Sequence, residues 1–383
     1  MNKPQVFINQ GVSCLKDIFA THQTKKIFLV TGKTSYHQSG AEKLLQPLFN
    51  KIDVERFSDF QTNPQFTDIL AGIVRFKQSH ADMVVAVGGG SSIDVAKSIN
   101  ILTHQKSTID AIVKGKVKIQ TKGLPLVAMP TTAGTGSETT HFSVIYIDHV
   151  KYSLAHPYIL PDYAIADVYL VMNMPKYLSA TTGFDALAQA IESYWAVGST
   201  EESKQYAKPA IEIILNNFVD SVHNPNISNR RNMVYAAHLA GQAINISKTT
   251  APHALSYILT THWGIPHGHA VALTLGNFFI INANPNLKLN DKRGSKYVQK
   301  TLKELISMLG CNTPERACSL IKKLMLEVGL EVDFLKLGFN PERDIHILLN
   351  NINLERISNN PVYVDIEMVK SIFNQTENKI VNS

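Results

Sequence analysis

The sequence predicts an α/β domain over residues 1–174 followed by an all-helical domain over residues 175–383. Three observations carry this prediction. Over the first 170 residues, short β-branched and apolar runs alternate with helical patterns, as in a mainly parallel sheet covered by helices. Two of those runs, Met83–Gly88 and Leu124–Met129, are apolar throughout, as interior parallel strands must be, and empty into loops rich in glycine and hydroxyl groups. Beyond about Pro175 helical periodicity continues with almost no strand signal, which places a boundary near Met174.

In chain order, Lys26–Thr31 (KIFLVT) is the first strand, ending at Gly32-Lys33-Thr34-Ser35, with a helical segment around Gly40–Phe49 behind it. Asp53–Phe57 reads as a second strand and Phe66–Gln78 as an amphipathic helix. Met83–Gly88 runs directly into Gly88-Gly89-Gly90-Ser91-Ser92-Ile93-Asp94 and a helix through about Leu102. Glycines allow close backbone approach to an anion, and the free amides of a helix N-terminus favour phosphate. The turn is not the usual dinucleotide fingerprint, because Ile93 stands where the third glycine would be, so a tight connection is the competing reading. Leu124–Met129 leads into Pro130-Thr131-Thr132-Ala133-Gly134-Thr135-Gly136-Ser137-Glu138, a loop of hydroxyl and amide donors with little bulk, suited to a pyrophosphate and a ribose. Two such loops after interior strands share one edge of a parallel sheet, where α/β folds bind ligands, and so predict a Rossmann-like dinucleotide-binding domain. Ser143–Ile147 and Tyr152–Ala155 form a hairpin, and Tyr163–Val168 is a last strand. The helical half reads as Tyr177–Val197, Glu201–Val219, Arg230–Ile246 and Lys296–Leu309, with a frayed helix in the polar tail Asn351–Ser383.

Composition narrows the function. With 44% hydrophobic and 18% charged residues the chain is an ordinary globular one. The net charge of +6 is scattered, and its one dense run, Lys114–Lys122, reads as a solvated loop, which argues against a nucleic-acid partner. Three widely spaced cysteines form neither a disulfide framework nor a metal motif. The start lacks a signal-peptide core and no run reaches a membrane span, so a cytoplasmic location without membrane association is expected.

The chemistry is expected in Lys248–Ala270, which carries four histidines in an otherwise apolar segment. His253 and His267 are separated by Gly264 and Pro266, so one helix ends near Trp263 and another starts around Pro266. Two imidazoles from adjacent helices with a carboxylate from a third are a common way to hold a divalent cation with one position open; the alternative is a set of core or surface histidines. Asp185, Gln189 and Glu192 share a helix face among small apolar neighbours, and a buried aspartate needs a partner, either a cation or a group in the bundle. Asp185, His253 and His267 then form an oxygen and nitrogen site, with Gln189 able to add its amide oxygen.

Gly88–Lys97 (GGGSSIDVAK), Pro130–Glu138 (PTTAGTGSE), the Asp185 helix and Pro266-His267-Gly268 together resemble the group III, or iron-containing, metal-dependent alcohol dehydrogenases, in order and spacing, over nearly the whole chain. The resemblance implies an NAD(P)(H)-linked oxidoreductase with a divalent Fe2+ or Zn2+ in the cleft between domains, a small aldehyde or alcohol substrate, and a homo-oligomer. By position it implies Asp185, His253 and His267 as metal ligands, and Gly89, Gly90, Ser91, Asp94, Thr131, Thr132, Thr135 and Lys151 as coenzyme contacts. Gln189 and Tyr257 depart from it, standing where the family commonly has histidines. Tyr257 is then a candidate for proton relay or substrate contact. Segments DALAQAIESYWAVGSTEESKQYA and TTAPHALSY are similar to the phosphonoacetaldehyde reductases, which form 2-hydroxyethylphosphonate; His141, Lys248 and His262 are candidates to meet such an anion. Family members favouring NAD often carry an acid after the first strand, and here Gly32, Lys33 and Ser35 stand there, so NADPH is expected to be accepted. A general primary-alcohol or polyol dehydrogenase is the alternative, with a dehydroquinate synthase-like lyase or an inactive nucleotide binder behind it.

Overall fold

The computed structural model describes residues 4–148, 150–352 and 357–373. Six strands form one wholly parallel sheet: β1 (Gln5–Ile8), β2 (Lys26–Thr31), β3 (Asp53–Phe57), β4 (Met83–Gly88), β5 (Leu126–Pro130) and β8 (Tyr163–Ala166), in the order β1-β8-β5-β4-β2-β3. The hairpin β6 (Phe142–Ile147) and β7 (Val150–Ala155) stands apart from it. Successive residues of β2 and β4 enter opposite cores. Phe28, Val30, Val84 and Ala86 pack with Phe76 and Ile99, whereas Ile27, Leu29, Met83, Val85 and Val87 pack with Leu15 and Phe19. Burial on both faces explains why β4 is apolar at every position. The sequence reading passed over β1, a four-residue edge strand with no fully buried side chain and therefore no strong pattern.

The longer helices of this half are α1 (Leu15–His22), α2 (Phe66–Ser79) and α3 (Gly90–Thr103). After Pro175 come α4 (Lys176–Trp195), α5 (Glu201–His223), α6 (Ile227–Ser247), α7 (Ala251–Trp263), α8 (His267–Ala283), α9 (Ser295–Met308), α10 (Pro314–Glu327), α11 (Pro341–Asn350) and α12 (Ile366–Phe373). Only α12 bears on the helix expected in the tail; residues 353–356 and 374–383 lie outside the described set. Among the described residues no helix is long and apolar enough to cross a membrane.

Two compact units result, and their division differs from a single cut near Met174. The first comprises Met1–Pro175 and Pro225–Gly241, and the second Lys176–Asn224 and Gln242–Ser383. Packing explains why most of α6 joins the first unit. The Arg230 guanidinium, 2% exposed, donates to the Met174 carbonyl, and His238 Nδ1 lies 3.2 Å from Glu138 Oε1 with both side chains buried. Gly136 and Gly241 meet so closely that a Cβ on Gly136 would lie 2.4 Å from Gly241 Cα.

Candidate metal centre and coenzyme loops

In the second unit, α4 brings Asp185 to one point with His253 of α7 and His267 of α8. Ligand-capable atoms of the three lie within 4.8 Å of one another. His253 Nε2 is 3.3 Å and His267 Nε2 3.8 Å from Asp185 Oδ1. The local sequence builds this directly. Gly264, at φ 67, ends α7 in the left-handed region, and Pro266 precedes the first residue of α8, so the two histidines return to one place across a short turn. Gly268 allows the approach to α4, since a Cβ there would lie 1.9 Å from the Thr181 carbonyl oxygen and 3.0 Å from Asp185 Cβ.

The imidazoles are oriented by groups behind them. Glu192, two turns beyond Asp185 on α4 and fully buried, sits at the N-terminus of α7: its Oε2 accepts from Thr250 N at 2.7 Å and Thr250 Oγ1 at 2.9 Å, and its Oε1 lies 2.5 Å from His253 Nδ1. Trp195 Nε1 donates to the same Thr250 hydroxyl at 2.9 Å. A carboxylate behind one imidazole nitrogen directs the other toward a metal. Ser256 gives its proton to the His253 carbonyl at 2.8 Å, so at its 3.2 Å contact the His267 Nδ1–H is the donor. His267 Nε2 then turns a lone pair toward Asp185. Burial of His253 would lower its pKa, but the Glu192 charge and the hydrogen bonds to Asp185 and Glu192 outweigh this and push it up to about 9. Burial likewise would raise the Asp185 carboxyl, and the hydrogen bond from His253 holds it below its ordinary value. Without a cation, a proton on His253 holds the cluster together. Two nitrogens and one carboxylate oxygen around one point, on side chains 4% exposed at Asp185 and His253 but 34% exposed at His267, form a donor set that fits a divalent ion with one open side.

Gln189 lies one turn from Asp185, buried, and its side chain hydrogen-bonds the Asp185 carboxylate. The Tyr257 ring stacks on His267 at 5.4 Å with an interplanar angle of 0°. His262 is not brought to the cluster. It is exposed in the last turn of α7, nine residues past His253, a rise of roughly 13 Å along the helix. Lys248 is exposed at φ 61 directly after α6, its amide donating to the Ile244 carbonyl. Ser256, and Glu192 as the partner of His253, are the residues the sequence reading did not single out; both lie within one turn of a residue it did, or on its helix face.

In the first unit the register pairs Thr31 with Val87 and Gly88 with Pro130, so the segments at Gly32, Gly89 and Thr131 leave the sheet side by side. Thr131 N donates to the Gly88 carbonyl at 3.0 Å. Gly90 is small because the second loop packs on it: a Cβ there would lie 2.9 Å from Thr135 Cγ2, whereas one on Gly89 would make an ordinary 3.6 Å contact with Thr132 Cγ2. Ser91 follows in the first turn of α3, and Thr132 Oγ1 is buried with no hydrogen-bond partner among the described residues. An orphaned hydroxyl between a helix N-terminus and a glycine turn is an arrangement a phosphate-bearing coenzyme would satisfy. Asp94 turns instead toward the hairpin, accepting from Val144 N at 3.1 Å with the Lys151 charge nearby, and burial pushes it up to about 6. His141, just ahead of β6, also belongs to this unit. Lys33 and Ser35 are exposed beyond β2, and Arg56, on β3, donates to Thr31 Oγ1 and to the carbonyls of Gly32 and Lys33.

Residues 4–168 match the family described as iron-containing alcohol dehydrogenase, and residues 179–376 match the C-terminal region of the Fe-containing alcohol dehydrogenase family. The chain belongs to the iron-containing alcohol dehydrogenase family. Alcohol dehydrogenase 4 of Schizosaccharomyces pombe is 31% identical over 84% of this chain and 75% of that protein. The phosphonoacetaldehyde reductase of Streptomyces viridochromogenes is 33% identical over 70% of each. The crystal structure of sulfoacetaldehyde reductase from Bifidobacterium kashiwanohense in complex with NAD+ superposes with a TM-score of 0.86 at 28% identity, covering 97% of this chain and 96% of that one.

Within this family of alcohol dehydrogenases and aldehyde reductases the chain is an enzyme, and its parallel sheet and helical half are the family fold. The Gly268 contact gives Pro266-His267-Gly268 a physical basis: in an iron-containing alcohol dehydrogenase built this way, the residue after the histidine has no room for a side chain.

Proposed function

We propose that this iron-containing alcohol dehydrogenase reduces phosphonoacetaldehyde to 2-hydroxyethylphosphonate with NADH or NADPH, at a divalent metal, Fe2+ or Zn2+, held by Asp185, His253 and His267. The observation that carries the chemistry is the convergence of those three donors, with Glu192 fixed behind His253. A metal bound there supplies Lewis-acid polarisation of the aldehyde oxygen. Asp185 and His253 hold their geometry by burial, and Ser256 keeps His267 in the tautomer whose Nε2 faces Asp185. Gln189 steadies the Asp185 carboxylate by its hydrogen bond. Tyr257, whose ring lies on His267, is our candidate for delivering a proton to the product oxygen.

Gly89, Gly90, Ser91, Thr131, Thr132 and Thr135 bind the coenzyme phosphates and ribose, and Lys151 with Asp94 borders them. Gly32 and Lys33 present no carboxylate to a 2′-phosphate, and Arg56 adds a cation beside them, which supports use of NADPH. Two similar proteins are named for acetaldehydes that carry a phosphonate or a sulfonate, which supports an anionic two-carbon aldehyde. His141 in the first unit and Lys248 in the second are each a candidate to meet that anion.

The test strips the metal, reconstitutes separately with ferrous iron and zinc, and follows NADH and NADPH oxidation with phosphonoacetaldehyde, sulfoacetaldehyde and simple aldehydes. Metal-dependent turnover preferring phosphonoacetaldehyde is expected. Turnover of simple aldehydes alone discards the phosphonate substrate and leaves a general primary-alcohol dehydrogenase. Absence of coenzyme consumption with every aldehyde discards the hydride reaction and returns the lyase and binder readings.

A further inference from the structure

Lys97 is a charged side chain only 1% exposed, in the same helix that begins at the glycine turn. Its ammonium donates to the carbonyls of Ser137 at 2.5 Å, Thr140 at 2.7 Å and Phe142 at 3.0 Å, and to Thr140 Oγ1 at 3.1 Å. Burying an ammonium costs several kcal/mol unless its hydrogen bonds are made, and a hydrocarbon of equal volume would pack at lower cost. The carbonyls explain the charge. Ser137–Thr139 is a single 3-10 turn and Phe142 opens β6, and Lys97 gathers the carbonyls at the two ends of this short connection and at Thr140 between them.

The same helix also bonds the hairpin strand β6 that follows this segment. Asp94 accepts from Val144 N at 3.1 Å, and Ser98 Oγ donates to Ser143 Oγ at 3.0 Å. At its other end the threonine-rich loop is tied by Thr131 N to the Gly88 carbonyl. Between the Thr131 tie and the Lys97 hydrogen bonds lie Thr132, with its orphaned buried hydroxyl, and Thr135, packed on Gly90.

We propose that Lys97 is a positioning residue for the nicotinamide coenzyme: by cross-linking α3 to the Ser137–Phe142 backbone it sets the threonine loop against the glycine turn, so that both loops present their donors to one ligand. This rests on the coenzyme reading above. Lys97 itself, buried among carbonyls, does not touch the ligand; it fixes the spacing between the groups that do.

The experiment compares full-length, metal-loaded wild type with Lys97→Met, Thr140→Val and Ser98→Ala. Lys97→Met keeps the reach and removes the donors, Thr140→Val removes one acceptor and keeps the charge, and Ser98→Ala cuts a bond from the same helix that leaves the carbonyls alone. Readouts are NADH and NADPH dissociation constants by fluorescence, KM for coenzyme and for aldehyde, bound metal, and melting temperature. Loss of a charge-assisted hydrogen-bond set should weaken coenzyme binding about tenfold in Lys97→Met. Thr140→Val should show a smaller loss, with aldehyde KM and metal content at wild-type values in both. Ser98→Ala should lower the melting temperature without changing coenzyme affinity. Wild-type coenzyme affinity in folded Lys97→Met, or equal losses in Thr140→Val and Ser98→Ala, overturns the proposal. Should Lys97→Met fail to fold, the Thr140 and Ser98 pair decides it alone. Failure of the wild type to bind either coenzyme is a separate result that removes the coenzyme reading itself.

Discussion

Glu192 shows what a side chain can do without touching the reacting atoms. Its carboxylate takes three polar groups at once, the Thr250 amide, the Thr250 hydroxyl and His253 Nδ1. Changing it to glutamine keeps the shape, removes the charge, and faces an NH2 toward donors that need acceptors. Loss of such a partner behind a ligating histidine typically costs 10–100-fold in metal affinity, so Glu192→Gln should weaken zinc binding by about that factor in chelator competition. Unchanged affinity would mean that His253 is oriented by packing alone. Asp185, His253 and His267 were legible in the sequence because few residue types can hold a cation and these three lie in apolar surroundings. His262, offered by the sequence as a contact for an anionic substrate, lies exposed in the last turn of α7, nine residues past His253. The sequence also showed Glu192 on the Asp185 face without showing that the next helix would dock its N-terminus there.

At the scale of elements, the helix pair α7 and α8 could be read almost to the residue, because Gly264 and Pro266 punctuate it chemically. What could not be read is the distance of approach between α8 and α4. That is set by Gly268, whose missing side chain lets the first turn of α8 rest on the Thr181 carbonyl. Gly268→Ala places a methyl against backbone that has no rotamer to change, and overpacking of this kind typically costs about 1–3 kcal/mol. The variant should melt several degrees lower and retain less metal after dialysis, because moving α8 carries His267 away from Asp185. A variant with full metal content and wild-type melting would show that the helix slides without cost. The strands divide similarly. Interior β4 is plain from its apolar run, whereas edge strand β1 is too short and too exposed for its pattern to register.

For the whole molecule, two units were foreseeable from the change in periodicity near Pro175, but not the return of Pro225–Gly241 to the first. Nothing in a helical pattern states which core will take it. The partners that decide are single atoms: the Met174 carbonyl for Arg230, the Glu138 carboxylate for His238, and the bare Cα of Gly136 for Gly241. A fragment of residues 1–175 should therefore be unstable although it holds the entire parallel sheet, with the Glu138 carboxylate left without its imidazole. Circular dichroism of that fragment against one carrying residues 225–241 on a short linker would check this, and equal stability would contradict it.

The same interruption bears on how the chain is made. An emerging polypeptide can lay down all six strands and still wait, its threonine-rich loop unsupported by His238 and Gly241, while the intervening helices α4 and α5 are translated. The first unit therefore closes only after Gly241 has been made, some way behind its last strand.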